Sequence, residues 1–311
     1  MKKVFIDGSA GTTGLRIKER LSKRNDIELI VLSEELRKDS AARKKALNEC
    51  DIAFLCLPDA AAIEAVDMIE NENVVVLDTS TAHRTHQDWA YGFPELSKEH
   101  FEKVQSSKRI AVPGCHASGF IALTYPLIEK GIIDDDTLLT CHSITGYSGG
   151  GKKMIAEYED ESRDVLFDAP RQYALSQSHK HLPEMTKVTG LKNTPIFCPI
   201  VSDFYSGMVV TVPIFKIQLK EGFSIEDIKN IYKEKYSGEI VSYQDSISEG
   251  GLISGNALSF KDSMQITVEG NDERILLIAR YDNLGKGASG AALECMNIVM
   301  GEKPSAMLDI L

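Results

Sequence analysis

Several features are scarce in this sequence, and each scarcity excludes something. The longest apolar runs, such as residues 74–77 and 275–279, fall far short of the roughly 20 residues that span a bilayer, so no membrane-crossing segment is expected. Basic side chains are outnumbered, 35 against 46 acidic, for a formal net charge of −11. Nucleic acid and anionic membrane surfaces both need a basic footprint, so neither is expected as the main partner. Only six cysteines occur in 311 residues, at positions 50, 56, 115, 141, 198 and 295, with no CxxC pair. They are too sparse for a disulfide scaffold. There is no repeat with a 20–50 residue period and no low-complexity tract, and the segment before Gly8 is too short to hold the apolar core of a signal peptide. A reducing, cytoplasmic compartment is the expectation.

At about 100–200 residues per domain, the length fits roughly two domains with sizeable cores. The first third alternates between strand and helix signals: strands at residues 4–6, 27–32, 52–57 and 74–77, and helices at 15–21, 40–48 and 60–70. This rhythm implies βαβ units with right-handed crossovers and a doubly wound parallel sheet. From about residue 135 longer extended segments appear, at 137–145, 207–219, 264–269 and 275–281, which suits an α+β domain on a mixed or antiparallel sheet. A closing helix over residues 287–300 is expected to return to the first domain. The expected boundaries are therefore 1–114 plus about 286–311 for the dinucleotide-binding domain, and 115–285 for the catalytic and oligomerisation domain.

Gly8-Ser9-Ala10-Gly11-Thr12-Thr13-Gly14 follows the first strand and opens a helix. Glycines there let the chain turn tightly and approach a pyrophosphate, while the helix N-terminus offers free N–H groups. Gly8, Gly11, Thr12, Thr13 and Gly14 are thus candidate dinucleotide ligands. After the second strand come Ser33, Glu34, Arg37 and Lys38. Ser33, Arg37 and Lys38 could clasp a 2′-phosphate, whereas Glu34 could bind a ribose hydroxyl; two basic residues weigh towards NADP(H).

Pro113-Gly114-Cys115 runs from a strand into an apolar helix pattern that reaches residue 128, which sets Cys115 apart from the other cysteines. Cys50, Cys56, Cys198 and Cys295 read as small core hydrophobes. At a helix N-terminus the dipole favours thiolate, and the free N–H groups can hold an oxyanion. A thiolate nucleophile needs an acid/base partner. His179-Lys180-His181-Leu182-Pro183-Glu184 offers two imidazoles before a Pro-Glu turn; His116 is expected to point away along its helix. An H-x-H pair also suits a metal-dependent hydrolase, but no third ligand stands at a familiar spacing, and no metal is expected.

These motifs, together with Asp78-Thr79-Ser80-Thr81-Ala82-His83-Arg84, Tyr91-Gly92-Phe93-Pro94-Glu95-Leu96 and Asp282-Asn283-Leu284-Gly285-Lys286-Gly287-Ala288-Ser289-Gly290, closely resemble the N-acetyl-γ-glutamyl-phosphate reductases of arginine biosynthesis, in their shorter type. The likeness covers essentially the whole chain. His116 departs from the long type, where Tyr commonly follows the cysteine. The resemblance implies attack of Cys115 on a small-molecule acyl phosphate, a thioester, and NADPH-dependent reduction to a semialdehyde. It implies His181 as proton donor and acceptor, with His179 as rival, and Arg84, with Gly149 and Lys152 of the flexible glycine loop, as substrate-side groups. It also implies Asn283 and Gly287 facing the nicotinamide, and a homodimer or homotetramer. Competing readings are an aspartate-semialdehyde dehydrogenase-like enzyme, to which the H-x-H-x-P-E element would be foreign, and a non-catalytic dinucleotide-binding regulator.

Overall fold

A computed structural model describes all residues, 1–311. The chain divides into two compact units, Met1–Pro113 with Ala288–Ala306, and Gly114–Gly287 with Met307–Leu311.

The first unit contains β1 (Lys2–Asp7), α1 (Thr12–Leu21), β2 (Ile27–Ile30), α2 (Ser40–Glu49), β3 (Ile52–Leu55), α3 (Asp59–Asp67), β4 (Val75–Asp78), β5 (Ala90–Tyr91), α4 (Lys98–Ser106) and β6 (Arg109–Ala111). Its six strands are ordered β2-β1-β3-β4-β6-β5, and every pairing is parallel. β3 and β4 are buried at every position, as parallel strands covered on both faces must be. The closing helix, Gly290–Met300, belongs to this unit, where the Cys295 thiol meets the Gly92 carbonyl at 3.6 Å. α4 has a weak apolar pattern, with Val104 its one buried residue, and the sequence reading passed over it. Its start is fixed by the Ser97 side chain, which accepts from the His100 N–H.

The second unit contains α5 (Cys115–Glu129), β7 (Thr140–Gly146), α6 (Gly151–Glu159), β8 (Arg171–Gln172), α7 (Leu182–Thr189), β9 (Ile196–Ser202), β10 (Met208–Phe215), α8 (Ile225–Lys235), β11 (Val241–Tyr243), β12 (Met264–Gly270) and β13 (Arg274–Tyr281). They form a seven-stranded mixed sheet in the order β11-β12-β13-β10-β7-β9-β8. The predicted strand over 207–219 ends at Phe215, because Lys216–Gln218 turns as a short 3₁₀ segment held by the Gln218 side chain on the Phe215 N–H.

α5 is apolar on all sides and buried along most of its length, which marks it as the core helix of the unit. Pro126 lies inside it and removes the N–H that would bond to the Ala122 carbonyl. The Tyr236 hydroxyl, just beyond α8, donates to that carbonyl instead, at 2.7 Å. Tyr232 does the same for the Leu123 carbonyl. The helix that begins at Cys115 is therefore anchored at its far end by two buried phenols.

Candidate active site

Cys115 is the first residue of α5, and its N-cap, Gly114, has no side chain with which to cap the first turn. Glu184 of α7, itself buried, accepts the Gly114 N–H at 2.8 Å. The N–H groups of residues 115–117 have no carbonyl one turn earlier in the helix, which suits them to hold a thiolate or an oxyanion. Cys115 is partly exposed. Among the other cysteines, Cys50, Cys141 and Cys295 are buried, while Cys56 and Cys198 are partly exposed. Burial pushes the Cys50 and Cys56 thiols up to about 12 and raises Cys141 as well, which keeps these three un-ionised and inert.

His116 does not point away, contrary to the sequence reading. It is buried, with Nδ1 2.6 Å from the Ser143 hydroxyl and Nε2 2.7 Å from the Tyr173 hydroxyl. Its ring stands 5.6 Å from that of His181 and 5.8 Å from that of His179, and those two meet edge to face at 4.7 Å. Residue 116 is the second of α5, and the first turn swings it inward towards β7 rather than along the helix surface. Burial, with His179 as a smaller cause, pushes His116 down to about 3, so it stays neutral at physiological pH. Tyr173 is raised by burial and by the nearby Cys115, so its phenol stays protonated.

His181 is the N-cap of α7 and is buried; its N–H donates to His179 Nδ1 at 3.2 Å. The segment that carries Tyr173 and both histidines is clamped by Gln177, whose side chain accepts the Phe197 N–H and donates to the Phe197 carbonyl, at 2.9 and 2.7 Å. Ala174 and Gln177 adopt positive φ, 53° and 54°, a strained conformation for residues with a Cβ.

The other side of Cys115 is formed by the turn after β13. A Cβ at Gly287 would lie 3.0 Å from the Cys115 Cβ, so Gly287 gives room to the nucleophile. Asn283 donates to the Ser148 hydroxyl at 3.0 Å and accepts the Gly207 N–H at 2.8 Å. A Cβ at Gly149 would lie 3.3 Å from the Asn283 amide nitrogen. The 146–151 segment, read from sequence as a flexible glycine loop, is a 3₁₀ turn over Tyr147–Gly150, tied by backbone bonds from Gly146, Tyr147 and Ser148 to Gly207, Phe204 and Tyr205. Lys152 is exposed on α6.

In the first unit, the Arg84 Nε donates to the Val112 carbonyl and one Nη to the Thr79 carbonyl, both at 2.9 Å. Its neighbour His83 is bonded to the buried Asp78 carboxylate at 2.7 Å and stacks on Trp89. Arg84 is thereby fixed to the Val112 carbonyl, three residues ahead of Cys115 in the chain.

The same unit has a cleft of about 260 Å³ lined by residues of the glycine turn together with Leu32, Arg37, Lys38 and Arg43. Gly8 has φ +85°, and a Cβ there would lie 2.2 Å from the Cys56 carbonyl oxygen; one at Gly14 would lie 2.4 Å from the Gly8 carbonyl oxygen. Both glycines are therefore demanded by the protein itself. A Cβ at Gly11 would meet nothing closer than 3.6 Å, so the fold does not require glycine at this position. Gly11 caps α1 with no side-chain bond, and Thr12 Oγ1 and Arg37 Nε are buried without hydrogen-bond partners. These open donors fit a dinucleotide. Thr13 follows in the first turn of α1, Ser33 and Lys38 are exposed, and Arg37 pairs with Glu34. Sequence reasoning missed the buried Asp7–Arg43 ion pair, 3.0 Å, in the cleft wall. Burial raises the Asp7 carboxyl, and Arg43 partly offsets this.

Residues 3–104 match the family model described as the semialdehyde dehydrogenase NAD binding domain, and residues 115–283 the semialdehyde dehydrogenase dimerisation domain. N-acetyl-gamma-glutamyl-phosphate reductase of Trichormus variabilis is 42% identical over 311 aligned positions, covering 96% of this chain and 97% of its own. The enzyme of the same name from Rhizobium etli is 44% identical, covering 96% and 98%. Aspartate semialdehyde dehydrogenase II of Vibrio cholerae, solved in complex with ASA, shares the fold at a TM-score of 0.73 and 15% identity, over 97% of this chain and 98% of its own. The Candida albicans aspartate semialdehyde dehydrogenase solved with NADP has a TM-score of 0.64 at 16% identity, over 96% and 98%. With both units matched and more than two-fifths of its residues identical to these reductases over nearly its full length, the chain belongs to the N-acetyl-gamma-glutamyl-phosphate reductase family, on the semialdehyde dehydrogenase fold.

Proposed function

We propose that this protein reduces N-acetyl-L-glutamyl 5-phosphate to N-acetyl-L-glutamate 5-semialdehyde, releasing phosphate, in arginine biosynthesis. The observation that carries this reading is the placement of Cys115 at the uncapped N-terminus of α5, with Gly114 bonded to Glu184 of the helix that His181 caps.

The Cys115 thiolate attacks the acyl carbonyl; a C–S bond forms, the C–O bond to phosphorus breaks, and inorganic phosphate leaves. N–H groups of the first turn of α5 take up the charge on the carbonyl oxygen. The glycine turn, with Ser33, Arg37 and Lys38 on the 2′-phosphate, would hold NADPH, which would supply the hydride that takes the thioester carbonyl to the aldehyde oxidation level as a thiohemiacetal on Cys115. His181 gives the proton to the oxygen that accumulates charge and takes it back as the C–S bond breaks, returning aldehyde and thiolate. His179, whose Nδ1 is occupied by the His181 N–H, is the rival for this role. Arg84, with Gly149 and Lys152 on the substrate side, offsets the phosphate charge. Asn283 and Gly287 serve the nicotinamide side through the turn they shape beside Cys115.

The outer face of the mixed sheet supports a homo-oligomer in a dimerisation domain. Ile144, Ile196, Phe215 and Leu276 are exposed there, and register places Ile144 beside Ile200 and Pro213 beside Leu276 on adjacent strands. A cytoplasmic, reducing compartment fits a working thiolate.

Purified protein is expected to oxidise N-acetylglutamate semialdehyde in the presence of phosphate and NADP, and more slowly with NAD. Equal rates with L-aspartate semialdehyde would contradict the substrate assignment.

A further inference from the structure

The Tyr281 side chain has no place in the chemistry described above, yet it reaches the nucleophile's own backbone. Tyr281 ends β13 and is fully buried. Its hydroxyl accepts the Gly119 N–H at 2.9 Å and donates to the Cys115 carbonyl at 2.5 Å. The first rung of α5 joins the Gly114 carbonyl to the Ser118 N–H at 2.9 Å; residues 115 and 119 are the i and i+4 partners of the next rung, and one phenol oxygen bridges it. The approach depends on glycine at 119: a Cβ there would lie 2.6 Å from the Tyr281 hydroxyl and 2.6 Å from a Val210 methyl.

The residues after Tyr281 extend the same grip. The Asp282 carboxylate accepts the Leu284 and Gly285 N–H groups at 2.6 and 2.9 Å and the Ser206 hydroxyl at 2.7 Å. Its carbonyl accepts the Gly287 N–H at 3.0 Å, and Gly287 is the residue that abuts the Cys115 Cβ. The β13 exit from Tyr281 to Gly287 is thus fastened into a turn that bonds the Cys115 carbonyl at one end and lies against the Cys115 Cβ at the other. Neither contact uses the sulfur.

We infer that Tyr281 is a positioning residue for the nucleophile: by bridging the Cys115 carbonyl and the Gly119 N–H it fixes the Cys115 backbone, and with it the direction from which the sulfur meets the acyl carbonyl. Placement on the scale of an ångström decides whether a bound substrate is in attack geometry. Burial, and then the neighbouring Cys115, raise the Tyr281 phenol well above its ordinary range, so it keeps its proton, and its bond to the Cys115 carbonyl, when the thiol ionises. The inference rests on Cys115 being the nucleophile.

Tyr281→Phe is the test, because the ring still fills its site and the Gly119 N–H and Cys115 carbonyl remain free to bond to each other directly. The variant is expected to fold, with a thermal midpoint within a few degrees of the parent. Its kcat is expected to fall by about 10- to 100-fold with KM for the acyl phosphate within about twofold, the signature of lost alignment rather than lost binding. In parallel, the pH profile of Cys115 alkylation by iodoacetamide is expected to show a lower plateau rate. p-Aminophenylalanine at 281, which keeps both a donor and an acceptor, is expected to restore kcat to within about threefold. An unfolded Tyr281→Phe protein, an unchanged kcat, or an unchanged alkylation profile would each overturn the assignment. Failure of the functional reading looks different: the parent protein itself would not turn over, while the alkylation comparison would still report on Tyr281.

Discussion

His116 carries the subtype difference noted in the sequence, and its surroundings give that difference a physical meaning. Held between the Ser143 and Tyr173 hydroxyls and pushed down to about 3, it is folded neutral. The unfolded chain protonates an ordinary histidine near 6.5, so the unfolded state binds the extra proton first. The stability His116 contributes is complete above about pH 6.5 and is lost as pH falls towards the folded value, at up to about 1.4 kcal/mol per pH unit. His116→Gln is therefore expected to flatten the fall of the urea midpoint between pH 6.5 and pH 4.5 relative to the parent; parallel curves would contradict a buried neutral imidazole. Cys115→Ser is expected to lose at least about 10³-fold in kcat, and full activity would favour the non-catalytic reading. Cys115 and the two histidines of the H-x-H element were legible because their chemistry sits in short motifs. Tyr173, Tyr281 and the role of Glu184 were not, since each acts across a gap of 58, 166 and 70 residues that no local pattern encodes.

At the scale of elements, the two kinds of glycine in the first turn separate fold from function. Gly8→Ala forces a Cβ into the Cys56 carbonyl at a positive φ and is expected to destabilise the first unit by several kcal/mol, read as a lower melting temperature. Gly11→Ala meets no such contact and is expected to leave melting unchanged while raising KM for NADPH about tenfold or more. An unchanged KM would remove the argument that Gly11 exists for the cofactor. The alternation of strands and helices in the first third was readable because parallel strands are continuous apolar runs and the helices between them are amphipathic. The α5–α7 junction was readable only in part. The Pro-Glu after the H-x-H pair reads as a turn; that it lies in the first turn of α7, and that the Glu184 carboxylate caps a different helix at Gly114, emerges only from the packing.

For the whole molecule, the arrangement of the mixed sheet gives its two faces different tasks. Ser143, Val210 and Tyr281 lie on the buried face, and Tyr281 touches α5 directly; Ile144, Phe215 and Leu276 lie on the exposed face. Ile144→Glu is expected to shift the protein to monomer by sedimentation velocity, and an unchanged oligomer would place the interface elsewhere. The mixed character of this sheet was anticipated from its long extended segments, but its strand order was not, because β9 and β10 are joined in sequence yet separated in the sheet by β7. On the proposed function, a chain at −11 that handles an anionic substrate and cofactor would set its positive potential locally, at Arg37, Lys38, Arg84 and the N-termini of α1 and α5.

The central claim, a thioester on Cys115, is tested most directly without the reductant. Protein mixed with N-acetylglutamyl phosphate in the absence of NADPH is expected to release about one phosphate per active site in a burst and to carry an N-acetylglutamyl group on the Cys115 peptide. No burst until NADPH is added, or the acyl group on any other residue, would contradict it.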